Sequence, residues 1–308
     1  MRTAFVNSLI KLADKDKRVV LLTGDLGYGV LEKFRDKFPD RFLNCGVAEA
    51  NMVGVAAGMA VSGKIPYVYS IGTFLIMRAF EQIRNDICYQ NLNVKLIGVG
   101  CGLTYSLYGA THQPIEDVGI TRCLPNLVII SPGDPVEVDL ATKFSLKHQG
   151  PLYLRIGSVG EPTIHKKQPN FRFGQGITLV SGKDITIIAS GNMLENAYQA
   201  AIDLNKKGIS TKLISMPFIK PIDKDLILKA ARETKAIFTI EEHFITGGLG
   251  TAVAEVLAES SQKVFLRRIA LPDKYPSEIG SRQYLREIYG LTVEHIVKTI
   301  MNIYNQHD

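Results

Sequence analysis

A single carboxylate, Glu49, interrupts the apolar, small-residue run Cys45-Gly-Val-Ala-Glu-Ala-Asn-Met-Val-Gly-Val-Ala-Ala-Gly-Met-Ala-Val61. A carboxylate buried in low dielectric is either protonated or matched to a partner, because the unpaired ion is costly there, and both states suit proton chemistry. A plainer reading stays open beside it: Ala48 and Glu49 open a helix, where a carboxylate complements the dipole and keeps its water. A second candidate is His112, in Tyr108-Gly-Ala-Thr-His-Gln-Pro-Ile-Glu-Asp117. That segment is long for a connection between strands, and long connections at the carboxyl ends of parallel strands carry function. His112 titrates near neutral pH and suits proton donation or acceptance; the alternative is a histidine bonding the backbone of its own loop. A third segment, Gly72-Thr-Phe-Leu-Ile-Met-Arg-Ala-Phe80, sets Phe74, Met77 and Phe80 at i, i+3, i+6. Stripes of that kind are usually core.

The elements that must position these residues follow from periodicity. Short β-branched runs at 19–23, 42–45, 67–70, 94–99, 127–131 and 152–155 predict strands, with helical patterns between them. Continuous apolar strands separated by helices imply a parallel sheet covered on both faces. Asp134-Pro-Val-Glu137 supplies an N-cap, a proline at the first helical position and an acid two residues later, which predicts a helix from there to about His148. From Gly157 to Lys183 the period lapses into Ser, Gly, Pro, Lys and Gln, as in a surface linker. A second α/β unit follows, with strands expected at 185–190, 210–216, 235–241 and 264–268 and helices at 194–207, 224–233 and 249–257. The expected organisation is therefore residues 1–157, a linker over 158–183, and 184–308: two doubly wound α/β domains in sequence. The glycines of Thr246-Gly-Gly-Leu-Gly-Thr251 lack full dinucleotide spacing and read as close helix packing.

Composition narrows the function classes. The 308 residues are 46% hydrophobic and 21% charged, ordinary for a globular protein of two domains. The formal charge of +6 is scattered and interleaved with acids, which argues against nucleic-acid binding. No apolar run approaches a membrane span, and the amphipathic, charged N-terminal pattern is not a signal peptide. Cys45, Cys88, Cys101 and Cys123 form no C-x-x-C pair and read as reduced, buried thiols of a cytoplasmic protein. His148, His165, His295 and His307 read as surface residues, and no cluster has metal-ligand spacing.

Taken in order, Cys45-Gly-Val-Ala-Glu-Ala, Gly72-Thr-Phe-Leu, Gly109-Ala-Thr-His-Gln-Pro114, the approach to Arg155 and Glu241-Glu-His-Phe-Ile-Thr-Gly-Gly-Leu-Gly250 resemble the pyrimidine-binding and C-terminal domains of transketolase and its relatives. The resemblance covers essentially the whole chain. It implies a thiamine diphosphate enzyme in which Glu49 hydrogen-bonds N1′ of the cofactor's aminopyrimidine, so that the thiazolium C2 loses its proton and attacks a ketose carbonyl. It implies that Phe74 stacks on the aminopyrimidine, that Met77 and Phe80 complete an apolar wall, that Asp25 lines the cofactor cleft, and that His112 assists proton transfers beside the 4′-amino group. It assigns His243 to structure or interface.

Nothing here resembles the N-terminal domain of that family, whose Gly-Asp-Gly and downstream Asn hold magnesium and the diphosphate. The resemblance therefore implies a split transketolase: a separate N-terminal subunit as partner, magnesium held mainly by that partner and the diphosphate, a site at the interface, an α2β2 assembly, and no activity for this chain alone. Two substrate-reading positions depart from the family pattern. Tyr108 replaces an acid that reads the donor hydroxyl, and Gly100 replaces a histidine. Arg155 and Arg2 align with phosphate-binding arginines. Ketol transfer from a sugar phosphate is expected, with a deoxy, branched or modified ketose as donor. The rivals are a deoxyxylulose-phosphate-synthase-like reaction, a 2-oxo acid dehydrogenase β subunit, and a non-catalytic scaffold or regulatory subunit.

Overall fold

The β-branched runs become strands and the amphipathic stretches helices in the computed structural model, which describes residues 1–158 and 160–307. The first unit contains α1 (Arg2–Lys15), β1 (Val19–Thr23), α2 (Glu32–Lys37), β2 (Phe42–Asn44), α3 (Glu49–Val61) and β3 (Ile65–Ile71), followed by α4 (Phe80–Gln82) flanked by two π-helical turns at Phe74–Arg78 and Ile83–Cys88. It continues through β4 (Lys95–Val99), α5 (Asp117–Arg122), β5 (Val128–Ile130), α6 (Pro135–Lys147) and β6 (Leu152–Ile156). Asp134 caps α6 as its pattern predicts, its Oδ1 accepting from the Glu137 N–H at 2.8 Å, with Pro135 opening the helix.

The second unit contains β7 (Ile177–Val180), β8 (Ile185–Ala189), α7 (Leu194–Lys206), β9 (Thr211–Ser215), β10 (Phe218–Lys220), α8 (Lys224–Glu233), β11 (Ala236–Phe244), α9 (Leu249–Ala258), β12 (Phe265–Leu271), α10 (Arg282–Ile288) and α11 (Val293–His307). The first sheet runs β10-β5-β6-β4-β3-β1-β2 and the second β12-β11-β8-β9-β7. Each is parallel except at one edge, where β10 joins β5 and β7 joins β9 antiparallel. Strands β1, β3, β4 and β6 are buried almost throughout, which is why they read as continuous apolar runs.

The structure adds three features to the expected division. Part of the 158–183 segment is not linker, since β7 lies inside it; its four residues alternate too weakly to stand out before the sheet edge is known. Strand β10 comes from the second half of the chain yet completes the first sheet, so the units are laced together. One apolar cluster runs from Leu22, Val68 and Ile129 through to Ile188, Met216 and Leu249, joining both units in a continuous core.

The histidines and cysteines sort differently from their sequence reading. His165 is buried, held by Asp134 Oδ2 at 3.2 Å and near Glu137 Oε1 at 3.5 Å. Burial alone would lower its pKa, but the two carboxylates outweigh this and raise it. His148 packs against Phe144 and Phe173, which also stack on each other, and His295 is exposed. The His307 side chain lies outside the described residues. Cys88 and Cys101 are buried, whereas Cys45 is half-buried and Cys123 exposed. Among the described residues no helix is long and apolar enough to cross a membrane.

Candidate active site at the carboxyl ends of the first sheet

Glu49 opens α3 directly beyond the carboxyl ends of β1 and β3, and is 2% exposed. No side-chain cap serves that helix start, so the dipole is one partner and two side chains supply the rest. Ser70, at the end of β3, donates its hydroxyl to Oε1 at 3.2 Å. Arg78 donates from Nη1 to Oε2 at 3.1 Å. Both readings of Glu49 thus hold in part: it sits in the first helical turn, and it is buried and paired.

The Arg78 guanidinium also lies over the Phe74 ring, 4.1 Å from its centroid. Phe74 and Arg78 are the two ends of the first π-helical turn, whose wider winding places them on one side. The Phe74 ring meets His112 edge-on at 4.9 Å, and His112 lies 5.1 Å from the Tyr108 ring, which meets Tyr105 at 6.2 Å. A continuous file therefore runs Glu49, Arg78, Phe74, His112, Tyr108, Tyr105. Burial, and then the charge of Arg78, pull the His112 pKa below its ordinary value, favouring neutral imidazole at neutral pH. Its Nδ1 pairs with the Thr111 hydroxyl at 2.9 Å.

The remaining candidates are placed unevenly. Asp25 is exposed in a left-handed conformation; its Oδ1 accepts from Asn44 Nδ2 and the Tyr28 hydroxyl, both at 2.9 Å. A Cβ added at its neighbour Gly24 would lie 3.5 Å from Glu49 Oε1, so Asp25 sits beside the same site. Met77 is half-buried, and Phe80 packs against the core beneath the π turns. Arg2 starts α1 and is anchored by its backbone N–H to Ser158 O at 3.1 Å. Its guanidinium bears on the ionisation of both the Tyr69 and Tyr105 hydroxyls, while its Nε is buried without a hydrogen-bond partner.

Arg155 is held largely by groups of its own chain. It is 4% exposed; its Nε donates to Asp117 Oδ2 at 2.7 Å, and its Nη2 donates to Pro114 O at 2.8 Å and Glu242 O at 3.1 Å. Tyr153 donates to the same Asp117 oxygen at 2.6 Å. Through Nε and Nη2 the guanidinium braces the loop against the second unit. Opposite-charge pairing sustains this burial, since an ion pair removed from water needs good geometry and further hydrogen bonds.

The loop carrying Tyr108 and His112 is clasped by β11. Glu242 Oε2 accepts from Leu103 N–H at 3.1 Å, and Phe244 N–H donates to Ile115 O at 2.7 Å. Glu242 is itself gripped by Arg286 Nε at 2.5 Å and Arg282 Nε at 3.1 Å. Burial would raise its pKa, but the two guanidiniums prevail and hold it at about 2. Gly102, with φ of +59°, leaves the room this clasp needs: a Cβ there would lie 2.5 Å from Glu242. His243 accepts the Gly119 N–H at Nε2, 3.1 Å away, a tie between the two units, while its Nδ1 lies 2.8 Å from the carbonyl of its own neighbour Phe244. The glycine-rich segment behind it serves packing too. Glu241 fills the N-terminus of α9, accepting from Leu249 and Gly250 N–H at 2.7 Å each, so the protein's own carboxylate occupies the place of a phosphate.

Comparison with known proteins decides the family. A model of the transketolase pyrimidine-binding domain matches residues 1–158, and one of the transketolase C-terminal domain matches residues 174–296. The chain belongs to the transketolase family. It is 38% identical over 299 residues to the 6-deoxy-6-sulfo-D-fructose transketolase subunit SqwH of Clostridium sp. strain MSTE9, covering 97% of this chain and 92% of that one. It is 37% identical over 302 residues to an apulose-4-phosphate transketolase subunit of Phocaeicola vulgatus, covering 97% and 96%. Among solved structures it is similar to a split gene transketolase described as an inactive beta4 tetramer, with a TM-score of 0.90, 37% identity, and 100% and 98% of the two chains covered.

Membership of the transketolase family implies thiamine diphosphate dependence. The residues present fit the aminopyrimidine half of that group. A planar cation edged with N–H donors rests on the Phe74 face while donating to Glu49, and a planar ring with a protonated ring nitrogen would be able to make the same two contacts. Gln113, next to His112, is fully buried with both polar atoms of its amide unpaired, a further mark of a loop built to meet another group.

Arg78, Ser70, Tyr105 and Glu242 escaped the sequence reading of this transketolase-family site. For Arg78 a signal existed: it is the one charge between Gly72 and Phe80, as Glu49 is the one charge in its own run. Ser70, Tyr105 and Glu242 carried no local signal. Tyr105 matters because its ring covers Gly100, where an added Cβ would lie 2.0 Å from the ring. With Tyr105 in this position, residue 100 has no room for a side chain.

Proposed function

We propose that this chain is the pyrimidine-binding subunit of a split, thiamine diphosphate-dependent transketolase, moving a two-carbon ketol unit from a ketose to an aldose in the cytoplasm. The observation that carries the reading is the buried Glu49 carboxylate, with one oxygen held by Ser70 and the other paired with Arg78, whose guanidinium lies on Phe74 next to His112. The cofactor supplies a nucleophilic carbon and an electron sink for carbon–carbon cleavage. Glu49 holds and exchanges the proton at the ring-nitrogen position, where water is excluded and the carboxylate acts at greatest strength. Phe74 orients the ring by stacking, Met77 and Phe80 keep that wall apolar, and Asp25 sets the rim. Neutral His112 takes and returns protons at the reacting oxygen.

The diphosphate and its magnesium belong to an N-terminal partner subunit, in an α2β2 assembly. Supporting this, two similar relatives of the same extent are named as transketolase subunits, and the similar split-gene structure is described as inactive. Calorimetric titration of thiamine diphosphate with magnesium, into this chain alone and then mixed with the partner, tests the reading. Binding to the mixture only, followed by ketol transfer in a ketose screen, is expected; tight binding to this chain alone would place the diphosphate site here and end the split-subunit reading.

The substrate side favours an altered donor. Tyr105 and Tyr108 present aromatic faces where polar contacts to a standard sugar phosphate are expected in the family, which suits a deoxy, branched or otherwise modified ketose. With Arg155 committed to Asp117, Arg2 is the arginine left to meet a terminal anion. Arg2→Met is expected to raise KM for a phosphorylated sugar about 10- to 100-fold with kcat little changed, the weight of a charge-assisted hydrogen bond. An unchanged KM in steady-state assays would remove Arg2 from the substrate site.

A further inference from the structure

Arg78 makes, within this chain, the two contacts that the proposed function assigns to the aminopyrimidine: an N–H donated to Glu49 Oε2 and a planar face laid on Phe74. Both cannot be made twice. Glu49 Oε1 is taken by Ser70, and Oε2 is the oxygen Arg78 holds. The Arg78 guanidinium lies 4.1 Å from the Phe74 centroid while it donates to Oε2, so a ring that stacked on that face and donated to the same oxygen would need the same space. Arg78 is otherwise lightly held. Its side chain is 49% exposed, and it belongs to a π-helical turn followed by Ala79, at φ −107° and ψ 19°, before α4 resumes. A half-exposed ion pair and a single cation–π contact are weak enough to exchange for a better-fitting ring.

We propose that Arg78 is a placeholder: in the free chain its guanidinium occupies the aminopyrimidine seat and keeps Glu49 paired, and cofactor binding in the assembled complex must displace it. The inference rests on the thiamine diphosphate reading given above. Its physical logic is that a buried carboxylate cannot stand unpaired while the chain waits for its partner, so an internal cation covers it at low affinity cost. Displacement then subtracts from cofactor affinity, and the swung guanidinium lands in solvent or on an anion at the subunit interface.

Calorimetry on the assembled complex separates the possibilities, with Arg78→Met chosen because methionine keeps an apolar stem of similar reach without the charge. The variant complex is expected to bind thiamine diphosphate with magnesium about tenfold more tightly than wild type, equivalent to about 1.4 kcal/mol. The isolated variant chain should also bind the cofactor's aminopyrimidine fragment, 4-amino-5-hydroxymethyl-2-methylpyrimidine, more tightly than the isolated wild-type chain. Equal or weaker binding by the folded variant in both measurements would overturn the placeholder while leaving the cofactor reading intact. Absence of cofactor binding by wild-type and variant complexes alike would instead overturn the cofactor reading, and the placeholder with it. Thermal unfolding of the variant chain verifies that it is folded; because Arg78 is half exposed, its midpoint is expected close to wild type.

Discussion

Glu49→Gln in the assembled enzyme is expected to lower kcat by about 10²- to 10⁴-fold, the range over which a positioned acid–base group contributes. Glutamine keeps the shape and can still accept from Ser70, but it cannot exchange a proton with a ring nitrogen. The chain itself should stay folded. The partner lost is a guanidinium that remains half in water, so the change in stability should stay near 1 kcal/mol or below. Ketol-transfer kinetics on the complex and thermal unfolding of the subunit, measured on the same preparation, distinguish chemistry from fold. Activity within threefold of wild type would take Glu49 out of the mechanism and revive the non-catalytic scaffold.

The second large effect is on stability. Asp117→Asn should cost about 3–5 kcal/mol, because it strands the Arg155 guanidinium, 4% exposed, without its counter-charge. Asp117 opens α5, and the Tyr153 hydroxyl shares the same carboxylate oxygen, so two buried donors lose a strong acceptor together. Since Arg155 also ties Pro114 O to Glu242 O, the loss should loosen the His112 loop against the second unit. Denaturant unfolding measures the cost. A loss below about 1 kcal/mol, the level of a solvated pair, would mean that Arg155 is not committed to Asp117, and would return it to the substrate side as a phosphate ligand.

Much of the framework is legible in the chain alone. The strand at Val19–Thr23 and the helix at Lys224–Glu233 lie where their patterns place them, because continuous apolar runs and capped amphipathic stretches are local signals. The short edge strands β7 and β10 are not legible. A three- or four-residue strand has too few positions to show a period, and it exists because a neighbouring strand offers unpaired backbone groups. His165 fails for a related reason. It sits in a polar, proline-bearing stretch, and only the fold brings it onto Asp134 and Glu137, at positions about thirty residues earlier.

The candidate site divides in the same way. Glu49 is marked by the contrast between one charge and its apolar surroundings, and His112 by the length of its connection, and both features survive in the folded protein. The sequence by itself therefore determined the two-unit α/β framework and which residues are chemically out of place in it, since these depend on neighbours a few positions away. Only the tertiary structure decided what those residues face. Arg78 meets Glu49 across 29 positions, Glu242 clasps the loop at Leu103 across 139, and Arg155 turns inward to Asp117 instead of outward. Such pairings follow from which strand ends and loops the packing of both units brings together, and desolvation then makes each buried charge take the nearest partner that the packing supplies.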